Sequence, residues 1–265
     1  MTQLPIVQVD AFAADAFTGN PAAVMPLDAW LPDAVLQAIA EENNLSETAF
    51  TVPLRDDPEA DFELRWFTPT VEAQLCGHAT LASGHVLIAD VGDGKHIRFR
   101  TRRAGVLEVR RDGDAYALSL PAWAPDPVPP PATLAAIGGD VVETLARGDH
   151  YMVYLYRDEA AIRALRPDFR ALKAAGNMLH IATAPGETAQ VVSRVFVPGA
   201  GIDEDPVTGS AHSIIVPFWA ERLGRDSFTA YQASARGGHL HCTLAGDRVI
   251  LGGRCRTVIE GMFRL

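Results

Sequence analysis

Lysine is nearly missing from this chain: its 265 residues include only Lys95 and Lys173. A Schiff-base lysine serving pyridoxal phosphate is therefore not expected. Cysteine is scarce as well. Cys76, Cys242 and Cys255 form an odd set with no repeated spacing, which is neither a disulfide framework nor a zinc motif, so reduced thiols are expected. GxGxxG and GxxxxGK are both absent, which removes two common phosphate-binding turns. No apolar run approaches the ~18 residues that span a bilayer, and Met1 to Val9 lacks the basic start and apolar core of a signal peptide. Basic charge is in deficit, 23 residues against 33 acidic ones for a net charge of -10, which argues against a nucleic-acid or anionic-membrane partner. The expectation is a soluble, cytoplasmic protein that acts on a small molecule.

The apolar content of 48% supports a real core, in one large domain or two of ordinary size. Alternation predicts strands over Ile6 to Phe12, Ala22 to Met25, Thr48 to Val52, Phe62 to Phe67, His96 to Thr101, Gly105 to Arg110 and Ala115 to Leu120. Helical spacing covers Leu31 to Glu42, and Ala79 to Ala89 reads as a helix apolar on most sides and so buried on most sides. Pro121 to Ala132 holds six prolines and is read as a linker that resists both helix and sheet. Beyond it a strand is expected at Tyr151 to Tyr156, one helix over Glu159 to Leu172, and strands at Met178 to Thr183 and Gln190 to Val197. A largely apolar helix over His212 to Arg222 follows, then strands at Gly238 to Leu244, Arg248 to Gly252 and Arg256 to Phe263. Each half thus reads as strands around one buried helix. The domains are placed at 1–120 and 133–265, with the last strand free to pack back on the first.

Two tight turns open into these small-residue helices. CGHAT (Cys76 to Thr80) and DEDPVTGSA (Asp203 to Ala211) place Gly209, Ser210 and Ala211 like Gly77, His78 and Ala79. Free N–H groups and the helix dipole favour a carboxylate or phosphate at such starts, so the pair reads as a duplicated anion cradle. Glu47 sits between the end of a helix and the strand-like run Thr48 to Val52, whose alternation argues against a capping box with Asn44. His78 at a helix N-terminus is expected neutral, and Cys76 there is expected to have a lowered pKa. His239 and His241 share one strand face with no third ligand, so no metal site is expected.

The blocks GNPAAV (Gly19 to Val24), LSETAF (Leu45 to Phe50), RWFTPTVEAQLCGHAT (Arg65 to Thr80) and EDPVTGSA (Glu204 to Ala211) resemble the PhzF-like phenazine-biosynthesis family, in family order along most of the chain. The resemblance implies the α+β fold of diaminopimelate epimerase: two similar domains, each a curled mixed sheet around a central buried helix, with an active site in the cleft between them. It also implies a cofactor-free enzyme, often a homodimer, in which a glutamate moves a proton on a small carboxylated substrate. That glutamate falls on Glu47, with His78 and Asp205 as accompanying catalytic positions. Asn20, Ser46, Gly77, Gly209 and Ser210 fall on substrate-binding positions. Two alternatives stay open. An amino-acid epimerase or racemase would use Cys76 and a second thiol, which Asp203 to Ala211 does not supply. A binding protein would keep the cradle without turnover.

Overall fold

The computed structural model describes residues 2–265. Its first half runs β1 (Gln3–Ala11), β2 (Asn20–Pro26), α1 (Asp33–Asn43), β3 (Glu47–Pro53), β4 (Phe62–Phe67), β5 (Glu72–Ala73), α2 (Gly77–Leu87), β6 (His96–Thr101), β7 (Val106–Asp112) and β8 (Ala115–Pro121). Its second half runs β9 (Asp126–Pro127), α3 (Leu134–Ile137), β10 (Glu143–Arg147), β11 (Tyr151–Leu155), α4 (Glu159–Ala164), α5 (Phe169–Ala174), β12 (Leu179–Pro185), β13 (Val191–Val197), β14 (Ile202–Asp205), α6 (Gly209–Leu223), β15 (Ser227–Gln232), β16 (Gly238–Ala245), β17 (Arg248–Gly253) and β18 (Cys255–Arg264). Two compact units emerge: Met1–Ser119 with Gly252–Leu265, and Leu120–Leu251.

Strand pairing repeats between the units. In the first, β1–β2 is antiparallel, β2–β3 parallel, β3–β4 antiparallel, β4–β6 parallel and β6–β7 antiparallel. In the second, β10–β11, β11–β12, β12–β13, β13–β15 and β15–β16 follow the same alternation. A parallel pair needs a crossover, and α2 and α6 are the crossovers of the β4–β6 and β13–β15 pairs. β5 and β14, each paired with the strand before it, precede those helices in turn. The repeat lies in pairing order, which explains why the residues themselves show it so weakly. β18 closes the first unit by pairing antiparallel along β1.

Small residues let each crossover helix sink into its sheet. Gly77 through Gly84 of α2 are all buried, and α2 packs on β1, β2, β3, β6, β7 and β18. Gly84 lets the helix touch β7: a Cβ there would sit 2.5 Å from a Val109 methyl carbon. The opposite sheet face packs on α1 through Met25, Leu36, Ile39, Phe50 and Phe67. In the second unit, Tyr154, Tyr156, Ile162, Leu165, Leu172 and Phe196 form the core beneath α3 to α5.

Two expected elements are corrected. The helix over Glu159 to Leu172 is two short helices, because Pro167 disfavours helical geometry at Arg166 and Asp158 and Asp168 each cap a separate start. The Pro-rich segment is not free of sheet: Asp126 and Pro127 pair with Ala146 and Leu145 of β10. It also serves α6. Pro217 lies inside α6 and has no N–H to give the Ser213 carbonyl, which instead accepts from the Trp123 N–H at 2.9 Å.

Two fully buried histidines set an acid limit on the second unit. His180 contacts the Tyr154 hydroxyl through Nδ1 at 3.0 Å, and His212 Nδ1 contacts the Thr208 carbonyl at 2.8 Å. Burial pushes both from the ordinary 6.5 down to about 4. Between those values the unfolded chain binds more protons than the folded one, so this contribution is present above pH 6.5 and is lost as pH falls toward 4. The loss is on the order of 3 kcal/mol per histidine. Urea midpoints measured across this range are expected to fall with pH, and His180→Gln is expected to flatten that fall.

Candidate active site

The sheet face that meets α2 carries the reactive groups of the first unit. Asn20 and Glu47 begin β2 and β3, and parallel pairing sets Ala22 beside Glu47. Asn20 is fixed by the turn before it: Gly19 has φ +75°, and a Cβ there would lie 2.3 Å from the Ala11 carbonyl oxygen. From α2, the buried His78 reaches back between these strands. Its Nδ1 lies 3.1 Å from Asn20 Nδ2 and 3.5 Å from Cys76 Sγ, while its Nε2 lies 3.1 Å from Glu47 Oε2. That last contact is close but poorly aligned. Neither Nε2 nor Oε2 has a hydrogen-bond partner, although both atoms are buried.

Both sequence-based expectations about charge are corrected here. Burial, joined by the negative charge of Glu47, pushes the Cys76 thiol up to about 11, against the weaker pull of His78 and the Ala79 N–H. Shutting the sulfur away from water outweighs the helix dipole. For His78, burial opposes the charged form, but the Cys76 sulfur and the Glu47 carboxylate outweigh it and hold the imidazole well above its ordinary value.

No side chain caps the start of α2, whose N-cap is Cys76, and none caps α6, whose N-cap is Thr208. In α6 the reason is visible. Thr208 turns its hydroxyl away from the helix and donates to Asp205 Oδ2 at 2.5 Å. Gln232, at the end of β15, then clamps this turn: its Oε1 accepts from the Thr208 N–H at 2.9 Å, and its Nε2 donates to the Asp205 carbonyl at 2.7 Å and to Thr208 Oγ1 at 3.1 Å. Ser210 is hydrogen-bonded to Tyr151, whose phenol burial pushes upward.

A family model described as phenazine biosynthesis-like protein (PhzC-PhzF) matches residues 9–261. The chain belongs to this PhzF family. An uncharacterised isomerase of Pseudomonas aeruginosa is 49% identical over 265 residues, covering 99% of this chain and 100% of that one. The crystal structure of a PhzF-family phenazine biosynthesis protein from Enterococcus faecalis is 42% identical, with a TM-score of 0.91 over 100% of both chains. A hydroxyproline epimerase from Agrobacterium vitis shares the fold, with a TM-score of 0.63 at 13% identity over 98% of this chain and 92% of that one. The PhzF fold is thus the epimerase-like α+β fold, two similar units each built on a mixed sheet around a buried helix.

Within this PhzF-family chain the structure brings Asn20, Glu47, Cys76 and His78 together in the first unit, with Gly77 buried in the first turn of α2 and Ser46 on the partly exposed bend before β3. Asp205, Gly209 and Ser210 lie in the second unit, all buried. His239 and His241 do not form a metal group: His239 stacks on Tyr231 at 4.6 Å and His241 Nε2 contacts Ser227 Oγ at 3.1 Å. Sequence reasoning missed Thr208, Gln232 and Tyr151. The alternation of Phe228 and Ala230 marks β15 and could have led to Gln232 at its end. Nothing local signals that its amide faces the Asp205 turn. No helix among the described residues is long and apolar enough to cross a membrane.

Proposed function

We propose that the chain is a cofactor-independent isomerase in which Glu47 carries a proton within a small carboxylated substrate. One observation carries the reading: a buried carboxylate oxygen and a buried imidazole nitrogen face each other at 3.1 Å without a formed hydrogen bond, beside an uncapped helix start. The relatives named isomerases support the reaction class.

The chemistry follows from these groups. The free N–H groups at the start of α2 hold the substrate carboxylate, and the helix dipole favours that charge. This places the adjacent carbon against Glu47, where orientation alone contributes ~7 kcal/mol or more. Glu47 takes the proton as base. The His78 imidazolium stabilises the negative charge that develops, and Glu47 returns the proton at a second carbon of the same molecule. Proton removal and return by one carboxylate leaves no net change of charge. Asn20 lies against the other ring nitrogen, its Nδ2 3.1 Å from His78 Nδ1.

The test is a screen of cyclic and amino carboxylates in heavy water, with carbon-bound deuterium read by NMR. Incorporation into a ligand that also raises the melting temperature is the expected result. Ligands that stabilise the protein yet never exchange would replace the isomerase with a binding protein. The thiol-based epimerase reading runs against the burial that pushes the Cys76 thiol upward. Cys76→Ala is accordingly expected to keep exchange within about tenfold of the unaltered chain, measured on the same ligand.

A further inference from the structure

Glu47, Cys76 and His78 each offer one metal-ligand atom, and the three atoms lie within 4.8 Å of one another. We propose that this triad is a binding site for a thiophilic divalent cation of the Zn2+ or Cd2+ type, which enters in place of the protons on Cys76 and His78. The inference goes beyond the isomerase reading. It rests on that reading only in its corollary, that the bound ion blocks turnover by occupying Glu47.

The donor set suits such an ion. A thiolate, an imidazole and a carboxylate are the usual zinc ligands, and three protein ligands leave a fourth position for water. Cys76 Sγ to His78 Nδ1 is 3.5 Å and Glu47 Oε2 to His78 Nε2 is 3.1 Å. Bonds of ~2.0–2.3 Å put neighbouring ligands of a tetrahedral ion ~3.3–3.8 Å apart, so whichever ring nitrogen binds, one partner already stands near ligand spacing. The remaining separations are no more than 4.8 Å, so the third ligand has at most about 1 Å to close.

Unmet bonding capacity points the same way. Glu47 Oε2 and His78 Nε2 are buried without hydrogen-bond partners, and His78 is only 3% exposed. A carboxylate and a thiolate together balance the charge of a divalent ion, so the loaded site buries no net charge. The α2 N-terminus, unfavourable to a cation, favours the thiolate that the ion brings with it. On binding, metal bonds to S, N and O form, the S–H and one N–H break, and two protons pass to buffer. No electron is transferred.

The probe is Cd2+ added to the full chain. A thiolate-to-cadmium ultraviolet band is expected to saturate at one equivalent, to vanish in Cys76→Ser and to persist in Cys242→Ser and Cys255→Ser. His78→Gln is expected to weaken binding by more than about tenfold. Should Cys76→Ser fail to fold, the unaltered chain decides: Cd2+ must shield Cys76 from a small alkylating reagent at alkaline pH, read by peptide mass mapping. The proposal is overturned by absence of the band up to millimolar Cd2+, by its survival in Cys76→Ser, or by shielding confined to Cys242 or Cys255. Failure of the isomerase reading is separately visible, as an intact band in a chain that exchanges no ligand proton.

Discussion

Glu47→Gln lowers the rate of proton exchange by about 10²–10⁴-fold while ligand affinity stays within about tenfold. The amide keeps the volume and one acceptor oxygen, so the substrate-binding helix start is undisturbed. What goes is the group that accepts and returns the proton. The effect therefore falls on kcat and leaves KM nearly alone, the pattern of an interaction made only in the transition state. A second readout needs no substrate. Because the Glu47 charge helps hold His78 above its ordinary value, the His78 ring signal in NMR is expected to titrate at lower pH in Glu47→Gln. An unchanged His78 titration would mean that the 3.1 Å contact is not the pairing described here.

Gln232→Leu is expected to give a large loss of stability. The side chain is fully buried, and its amide serves the Thr208 N–H, the Asp205 carbonyl and Thr208 Oγ1. Leucine fills similar space but leaves the buried Thr208 N–H without its acceptor and takes a donor from the Asp205 carbonyl, each loss costing about 1–3 kcal/mol. The sum is about 2–6 kcal/mol, measured as a fall in the urea midpoint. Gln232→Glu, when protonated at acid pH, retains an acceptor for the Thr208 N–H and a donor for the Asp205 carbonyl, and is expected to lose less there than Gln232→Leu. Equal losses in the two variants would show that the clamp on the Asp205 turn is not what the amide supplies.

Local pattern made the buried helices legible. Ala79 to Ala89 is apolar on most sides, and such a stretch is expected to be buried on most sides. The same logic extended α6 past Pro217, although the sequence could not show that Trp123 would take up the carbonyl that proline orphans. Glu47 and His78 were found because their neighbours match a family pattern. Their charge states were not, since each depends on the other across a gap of 31 residues and on burial that only the fold creates. A helix dipole argument gave a neutral imidazole and a reactive thiol. The Cys76 sulfur and the Glu47 carboxylate overrode the first, and desolvation the second. Gln232 was invisible for the same reason: glutamine at a strand end carries no signal until its partner turn is known.

The central claim is that a carboxylate, and not the neighbouring thiol, moves the proton. Deuterium incorporation into one exchanging ligand, compared between Glu47→Gln and Cys76→Ala under the same conditions, tests it most directly. The account predicts that exchange falls by about 10²–10⁴-fold in Glu47→Gln and stays within about tenfold in Cys76→Ala. Exchange that survives in Glu47→Gln and disappears in Cys76→Ala would contradict it.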